Sequence, residues 1–368
     1  MVAPRTTFAL PAGLSATEPP EARGLQRDGV RLLVARPDGM WHGRFADIAH
    51  VLEPGDVVVV NTSKTVAAAV DGRRRDGGAV TVHFATALDD GSWVVEVRPG
   101  ACAKGPVRDV VVGERVELPA GASLTVLRCY PTGCADDAPN RLWVARVAIE
   151  CDVPCYLSRE GRPIAYDYMT ERWPLAAYQT VFAREPGSAE MPSAARPFTT
   201  ELVTSLVSAG VVVAPITLHT GVSSLEEGEE PLPERFAVPA ATARLVNLAR
   251  AHGGRVVAVG TTVTRALESA ADQHGAVVPS AGWTDLVLGP HRPARVVTGL
   301  VTGWHAPGAS HLLLLEAVAG GALVEAAYRE ALRERYLWHE FGDSCLFLPD
   351  RDRAQDDCVR ASSRMPSV

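Results

Sequence analysis

The sequence predicts a mixed α/β protein: a main α/β domain, barrel-like in outline, into which a small antiparallel β-barrel is inserted. Three observations carry this. Short, uninterrupted apolar runs such as residues 57–60 and 256–259 follow glycine turns and read as strands buried on both faces. Helical periods alternate with them: after the second run, Val263, Ala266, Leu267 and Ala270 recur at i, i+3, i+4 and i+7. From about Val66 to Glu150 the helical period vanishes, and short strands punctuated by Gly and Pro take over. The 368 residues also exceed a single typical core. The expected layout is a main domain in two parts, residues 1–66 and 152–349, an inserted barrel over 67–151, and a polar, disordered tail over 350–368.

Each element has a local reason. The run ending at Val60 is a buried strand that leaves into Asn61-Thr-Ser-Lys64. Strands at 80–84 and 93–97 flank Asp89-Asp90-Gly91, a hairpin signal. Further short strands are expected at 110–112, 115–118, 123–127 and 142–149. Beyond Pro163 the alternation resumes with a helix over 200–209, a strand over 211–217, a helix over 240–252 and the strand 256–259. Gly260-Thr261-Thr262 then turns into a helix, with the threonine hydroxyls at the N-cap. Strands near 286–288 and 295–301 precede a helix capped by Ser310 and ended by Gly320-Gly321, and a last helix reaches about Arg335.

Bulk composition narrows the function classes. With 47% hydrophobic and 21% charged residues the chain is globular. Its net charge of −7 argues mildly against nucleic acid as a main partner. Lysine occurs only at Lys64 and Lys104, so an arginine cluster reflects a general bias before it signals a phosphate patch. No apolar run is long enough for a membrane span, and the N-terminus lacks a signal-peptide core. Seven cysteines at loose spacings, Cys129/Cys134 and Cys151/Cys155 among them, match no zinc pattern and are expected as reduced thiols. A cytoplasmic, monomeric protein without metal is the expectation.

Four stretches carry candidate chemistry. Gly260-Thr261-Thr262 joins a buried strand to a helix N-terminus, a socket that favours negative charge, with Arg265 and Glu268 on the next turns. Read locally, Arg265 and Glu268 are also a simple i, i+3 ion pair. His219 stands just beyond one strand end, and Trp304 and His305 beyond another. Binding residues of α/β folds collect at such carboxyl ends. The fourth stretch, Tyr178-Gln179-Thr-Val-Phe-Ala183, leads to Glu185-Pro-Gly187 and Met191-Pro-Ser193.

Taken in order, these stretches resemble the S-adenosylmethionine:tRNA ribosyltransferase-isomerase family of queuosine biosynthesis. Its G-D-L-L-V-F-N-N-T-R corresponds to Gly55-Asp-Val-Val-Val-Val-Asn61-Thr-Ser-Lys64, and its Y-Q-T-V-Y-A to Tyr178-Gln-Thr-Val-Phe-Ala183. Its V-G-T-T-S-V-R-T-L-E-S is matched by Val259-Gly-Thr-Thr-Val-Thr-Arg-Ala-Leu-Glu-Ser269, and T-N-F-H-L-P by Thr302-Gly-Trp-His-Ala-Pro307. Phe341-Gly-Asp343 matches a further motif near the end. The resemblance implies an α/β domain with an inserted barrel. It also implies transfer and isomerisation of the ribosyl group of S-adenosylmethionine onto an aminomethyl-deazaguanine in tRNA, giving epoxyqueuosine, adenine and methionine. S-adenosylmethionine is then a co-substrate, and no tightly bound cofactor is required.

On that footing Gly260, Thr261 and Thr262 are expected to bind the co-substrate, with Arg265 as an anion clamp oriented by Glu268. His219 and His305 are the candidate base and acid, unranked, and Glu268 joins them as a catalytic candidate. Trp304 is expected to stack on adenine, and Tyr178, Gln179 and Ser193 to line the pocket. Three departures bear on the acceptor. Pro197 stands where the family has a histidine, the segment after His219 is short and acidic up to Glu234, and two arginines near Asn61 are missing. These losses predict weak binding to bulk tRNA with a shallow salt dependence. Two alternatives stay open: a paralogue using S-adenosylmethionine on a non-tRNA acceptor, and a catalytically silent binding protein on the same scaffold.

Overall fold

The computed structural model describes residues 3–100, 105–131, 140–166, 168–222 and 231–350. The first strands are β1 (Arg31–Arg36), β2 (Gly39–Arg44), β3 (Val57–Asn61) and β4 (Ser63–Thr65). Six more follow without a helix: β5 (Ala69–Arg74), β6 (Ala79–Ala87), β7 (Trp93–Pro99), β8 (Arg115–Glu117), β9 (Ser123–Tyr130) and β10 (Leu142–Ala148). Then come α1 (Val153–Glu160), β11 (Glu185–Ser188), α2 (Thr200–Ser208), β12 (Val212–Leu218), β13 (Glu234–Val238) and α3 (Ala240–Ala251). The chain continues through β14 (Val256–Val259), α4 (Thr261–Ser269), β15 (Ser280–Thr284) and β16 (Gly299–Thr302). It closes with α5 (His311–Ala319), α6 (Gly321–Arg333) and β17 (Ser344–Phe347).

Nine strands form one mixed sheet in the order β15-β13-β12-β3-β14-β16-β17-β1-β2. The sheet is open, with β15 and β2 at its edges, so the barrel-like outline expected of the main domain takes the form of a broad mixed sheet. Its centre is parallel: β12, β3, β14 and β16 run together, and β3, which reads Val-Val-Val-Val-Asn, is buried at every position. Apolar residues therefore line both faces. Val57, Val59, Val256 and Ala258 join one core, and Val58, Val60, Val257 and Val259 join the other.

Strands β5 to β10 close into a six-stranded antiparallel barrel, ordered β10-β7-β6-β5-β8-β9. It has its own core, in which Val70, Val82, Val95, Val97, Leu124 and Trp143 meet. The hairpin at Asp89-Asp90-Gly91 joins β6 to β7, with the Asp90 carboxylate accepting from the Ser92 amide at 2.9 Å.

Three strand expectations fail for identifiable reasons. Residues 110–112 form no strand: Val111 and Val112 are 54% and 41% exposed, and the Val111 amide goes to the Glu114 carboxylate. Residues 286–288 are irregular because the Leu286 carbonyl serves the Arg265 guanidinium, not a strand neighbour. The strand expected from 295 begins only at Gly299, since the amides of 295–297 are taken by the Glu268 carboxylate. Gly260, not a threonine, is the N-cap of α4, at φ 93°. Cys129 is disulfide-bonded where reduced thiols were expected, while Cys151, Cys155 and Cys345 are free. Among the described residues no single helix is long and apolar enough to cross a membrane. The tail beyond Asp350 lies outside the described residues.

Candidate active site

A cavity of about 580 Å³ opens at the carboxyl ends of β14 and β16. Gly260, Thr261 and Thr262 enter it as β14 turns into α4, and Thr302 to Ala306 enter it from the end of β16. The loop 190–194, Thr220 to Val222 beyond β12, and the pair His339-Glu340 complete the main-domain wall. Arg98 and Gly105, from the barrel stretch, also line it. Gly260 makes this geometry possible. Its left-handed φ aims the first amides of α4 at the cavity, and an added Cβ would stand 3.4 Å from the Ala194 methyl.

Two facing groups set the electrostatics. His305 and His311 stack with ring centroids 4.5 Å apart and an interplanar angle of 3°. Burial, with the charges of His311 and His339 added, pushes His305 well below the usual histidine value. Burial and then the Arg265 charge push His311 down to about 4. Both rings are therefore neutral near pH 7, and the His305 Nε2 lies 3.0 Å from the Thr302 hydroxyl.

The second group is acidic. Burial, reinforced by the Glu190 charge, pushes the Glu340 carboxyl up to about 8, against the opposing hydrogen bond from Tyr168. The Tyr166 hydroxyl donates to Glu190. Tyr168 stacks on His339 at 4.3 Å and 13°. His339 itself holds φ 73°, a costly backbone for a non-glycine residue, and so delivers Glu340 to the cavity. Glu340 Oε2 and Trp304 Nε1 are both buried without a hydrogen-bond partner among the described residues.

Of the residues singled out in sequence, Gly260, Thr261, Thr262, Arg265, Ser193, Trp304 and His305 line this cavity, and four others do not. His219 turns away from it. Its Nδ1 lies 2.7 Å from the Ser63 hydroxyl, which bonds Ser188 at 2.6 Å, and its ring packs flat against Gly187, where a Cβ would come within 2.5 Å. The Glu185-Pro-Gly187 motif is thus a seat for that ring. Glu268 accepts the amides of Arg295, Val296 and Val297 at 2.8 to 3.1 Å, and it binds neither Arg265 nor the cavity. Tyr178 is buried against Phe341 at 5.3 Å. Gln179 clamps the backbone of Thr65 through both its side-chain oxygen and its amide.

Two of the lining residues also serve other ends. Arg265, 6% exposed, pairs with Glu234 and donates to the carbonyls of Leu286, Leu232 and Thr284 at 3.0 to 3.1 Å. It has little left for a ligand. Glu234, which also lines the cavity, is thus half-buried and spends its charge on Arg265; the rest of the acidic segment, 223–230, lies outside the described residues. Trp304 is 2% exposed and packs among Tyr328, Tyr336 and Trp338 at 5.0 to 5.7 Å, so its ring belongs to the core rather than to a stacking platform.

Sequence reasoning missed Tyr166, Tyr168, Glu190, His311 and Glu340. The faint signals were Tyr166 and Tyr168 in alternation, Glu190 directly before Met191-Pro-Ser193, and Glu340 directly before Phe341-Gly-Asp343. No group of three or more His, Cys, Asp or Glu side chains among the described residues is arranged to hold a metal ion.

The family model described as queuosine biosynthesis protein matches residues 5–347. The chain belongs to that family. It is a family of transferase–isomerases. Relatives named S-adenosylmethionine:tRNA ribosyltransferase-isomerase include that of Moorella thermoacetica, 35% identical, covering 93% of this chain and 98% of the relative. Another, from Symbiobacterium thermophilum, is also 35% identical, with the same coverage of both chains. The crystal structure of the S-adenosylmethionine tRNA ribosyltransferase of Thermotoga maritima is similar, with a TM-score of 0.51 at 29% identity. That match covers 93% of this chain and 99% of the other. The queuosine family and its fold therefore account for both the open sheet and the inserted barrel.

Proposed function

We propose that this queuosine-family chain transfers and isomerises the ribosyl group of S-adenosylmethionine onto an aminomethyl-deazaguanine of tRNA, forming epoxyqueuosine and releasing adenine and methionine. The observation that carries the reading is the match to relatives of that name along nearly their whole length.

The chemistry needs a base for a proton on the 5′ carbon. When the proton leaves, its electron pair stays on the carbon beside the positive sulfur. Adenine then departs from the sugar, the amine of the deazaguanine attacks, and ring closure to the epoxide expels methionine. The sulfonium supplies the activation. Glu340 fits the base best, because its carboxyl is pushed up to about 8 while the His305 and His311 imidazoles are pushed down. An arriving sulfonium would favour its ionised form and so arm it. His305 and His311, uncharged, suit hydrogen bonding to a ribose hydroxyl or a base edge and not proton donation at neutral pH. The amides at the start of α4 suit a ribose oxygen or another partial negative charge.

The test is product analysis. Purified protein with S-adenosylmethionine and tRNA carrying the aminomethyl-deazaguanine should release adenine and methionine and yield epoxyqueuosine in the digested tRNA. Release of adenine with no modified nucleoside would defeat the assignment of a tRNA acceptor.

A further inference from the structure

Strand β7 of the barrel presents two faces. Val95 and Val97 point into the barrel core, and Glu96 and Arg98 alternate with them on the other face. Glu96 is ringed by nitrogens: His83 Nδ1 at 3.2 Å, Arg98 Nη1 at 3.3 Å and Arg141 Nη1 at 3.0 Å. Burial works to raise the Glu96 carboxyl, but the His83 hydrogen bond and the charges of His83, Arg141 and Arg98 outweigh it and hold Glu96 below the usual carboxylate range. Glu96 thus holds the Arg98 guanidinium on the face of β7 turned away from the barrel core.

Arg98 is the cation with capacity to spare. It is 9% exposed, it lines the 580 Å³ cavity, and its single hydrogen bond among the described residues is the one from Nη1 to Glu96. Arg265, the other arginine of the wall, spends its donors on Glu234 and three carbonyls. An acidic and a basic side chain therefore reach the cavity, Glu190 on the main-domain wall and Arg98 on the barrel side. A zwitterion complements such a wall.

We propose that Arg98 is the anion clamp of the cavity and takes the α-carboxylate at the methionine end of S-adenosylmethionine, so that the inserted barrel contributes directly to co-substrate binding. The assignment rests on the S-adenosylmethionine reading above. Glu96 is then a positioning residue that holds the guanidinium by one edge and leaves the other for the ligand.

The experiment is a two-by-two binding comparison by calorimetry. Wild-type protein and Arg98→Ala are titrated with S-adenosylmethionine and with its decarboxylated analogue, which keeps the sulfonium, the adenosine and the amine. Arg98→Ala should weaken S-adenosylmethionine roughly ten- to hundredfold and the analogue by less than about threefold. Arg98→Lys, which keeps the charge beside Glu96 but loses the planar fork, should show the same preference in smaller measure; it carries the test if the alanine variant does not fold. Equal losses for the two ligands, or no loss for either, overturn the clamp while leaving the co-substrate reading intact. Unchanged S-adenosylmethionine affinity with a raised KM for tRNA overturns it in favour of a phosphate contact. If the wild-type protein binds neither ligand, the co-substrate reading fails and the clamp fails with it.

Discussion

Arg265 on α4 and Glu234 at the start of β13 form an ion pair at the edge of the cavity, Nη1 against Oε2. The same guanidinium closes three backbone carbonyls: those of Leu232 and Leu286, and that of Thr284 at the end of β15. One side chain thus ties a helix to two antiparallel strands and an irregular segment that no ladder holds. Burial pushes the Glu234 carboxyl up even beside this partner, and the Arg265 charge works against that rise.

Removing Arg265 should therefore cost stability first. Arg265→Ala leaves Glu234 and three carbonyls without their donor, and about 3–5 kcal/mol of destabilisation is expected. Urea unfolding measures it. A variant that unfolds at the wild-type midpoint yet loses S-adenosylmethionine affinity would return Arg265 to the role of ligand clamp.

The limits of sequence reading lie in this same stretch. The strand 256–259, the turn at Gly260 and the helical period after it are local patterns, and all are present. The barrel was legible too, because its hairpins carry turn residues and its strands alternate. Partner choice was not. Arg265 and Glu268 sit at i, i+3 and invite pairing, yet Arg265 reaches back 31 residues and Glu268 reaches forward 27 to 29. Nothing local marks a carboxylate that will be wanted by three amides of a strand entrance. His219 failed for a related reason: its backbone does end a strand beside the cavity, but its ring turns to Ser63 and lies on Gly187. Arg98 and Glu340 lie far apart in sequence and become neighbours of one cavity only through the fold.

Glu340 gives a pH signature whose sign is fixed by its environment. Its carboxyl is raised from 4.5 to about 8, so the folded protein keeps a proton that the unfolded chain releases. The associated stability is present in full below about 4.5 and is lost as pH rises through about 8. Glu340→Gln, which mimics the protonated group, should flatten that part of the stability–pH curve. It should also lower turnover by about 100- to 10,000-fold and abolish a limb in kcat/KM near pH 8. A variant that retains both the limb and the rate would exclude Glu340 as the base.

His219 behaves in the opposite sense and away from the chemistry. Burial lowers it below the usual histidine value, only partly offset by the Glu185 charge, so its stabilising share is present above about pH 6.5 and is lost as pH falls. His219→Gln retains a hydrogen-bonding side chain toward Ser63. Turnover within about threefold of wild type is expected, since the ring lies outside the cavity, with a loss of about 1 kcal/mol in stability. A drop in kcat of several orders of magnitude in a folded variant would place His219 in the reaction after all.

Gly260 joins backbone conformation to ligand binding. At φ 93° it is the N-cap of α4, a backbone conformation that side chains rarely adopt; an added Cβ would meet the Ala194 methyl at 3.4 Å and the Thr262 hydroxyl at 3.6 Å, in ordinary van der Waals contact. Gly260→Ala must either accept a left-handed alanine, at a cost of about 1–2 kcal/mol, or rotate the turn and swing the first amides of α4 off the cavity. The first outcome lowers the unfolding midpoint and spares affinity. The second spares stability and weakens S-adenosylmethionine. The strain therefore lies in the backbone, and turning residue 260 toward negative φ relieves it. Weakened binding is therefore the expected result, read by titration calorimetry beside a melting curve. A variant that binds with wild-type affinity and melts early would show that the turn holds its aim, and that the helix start is rigid enough to carry the strain.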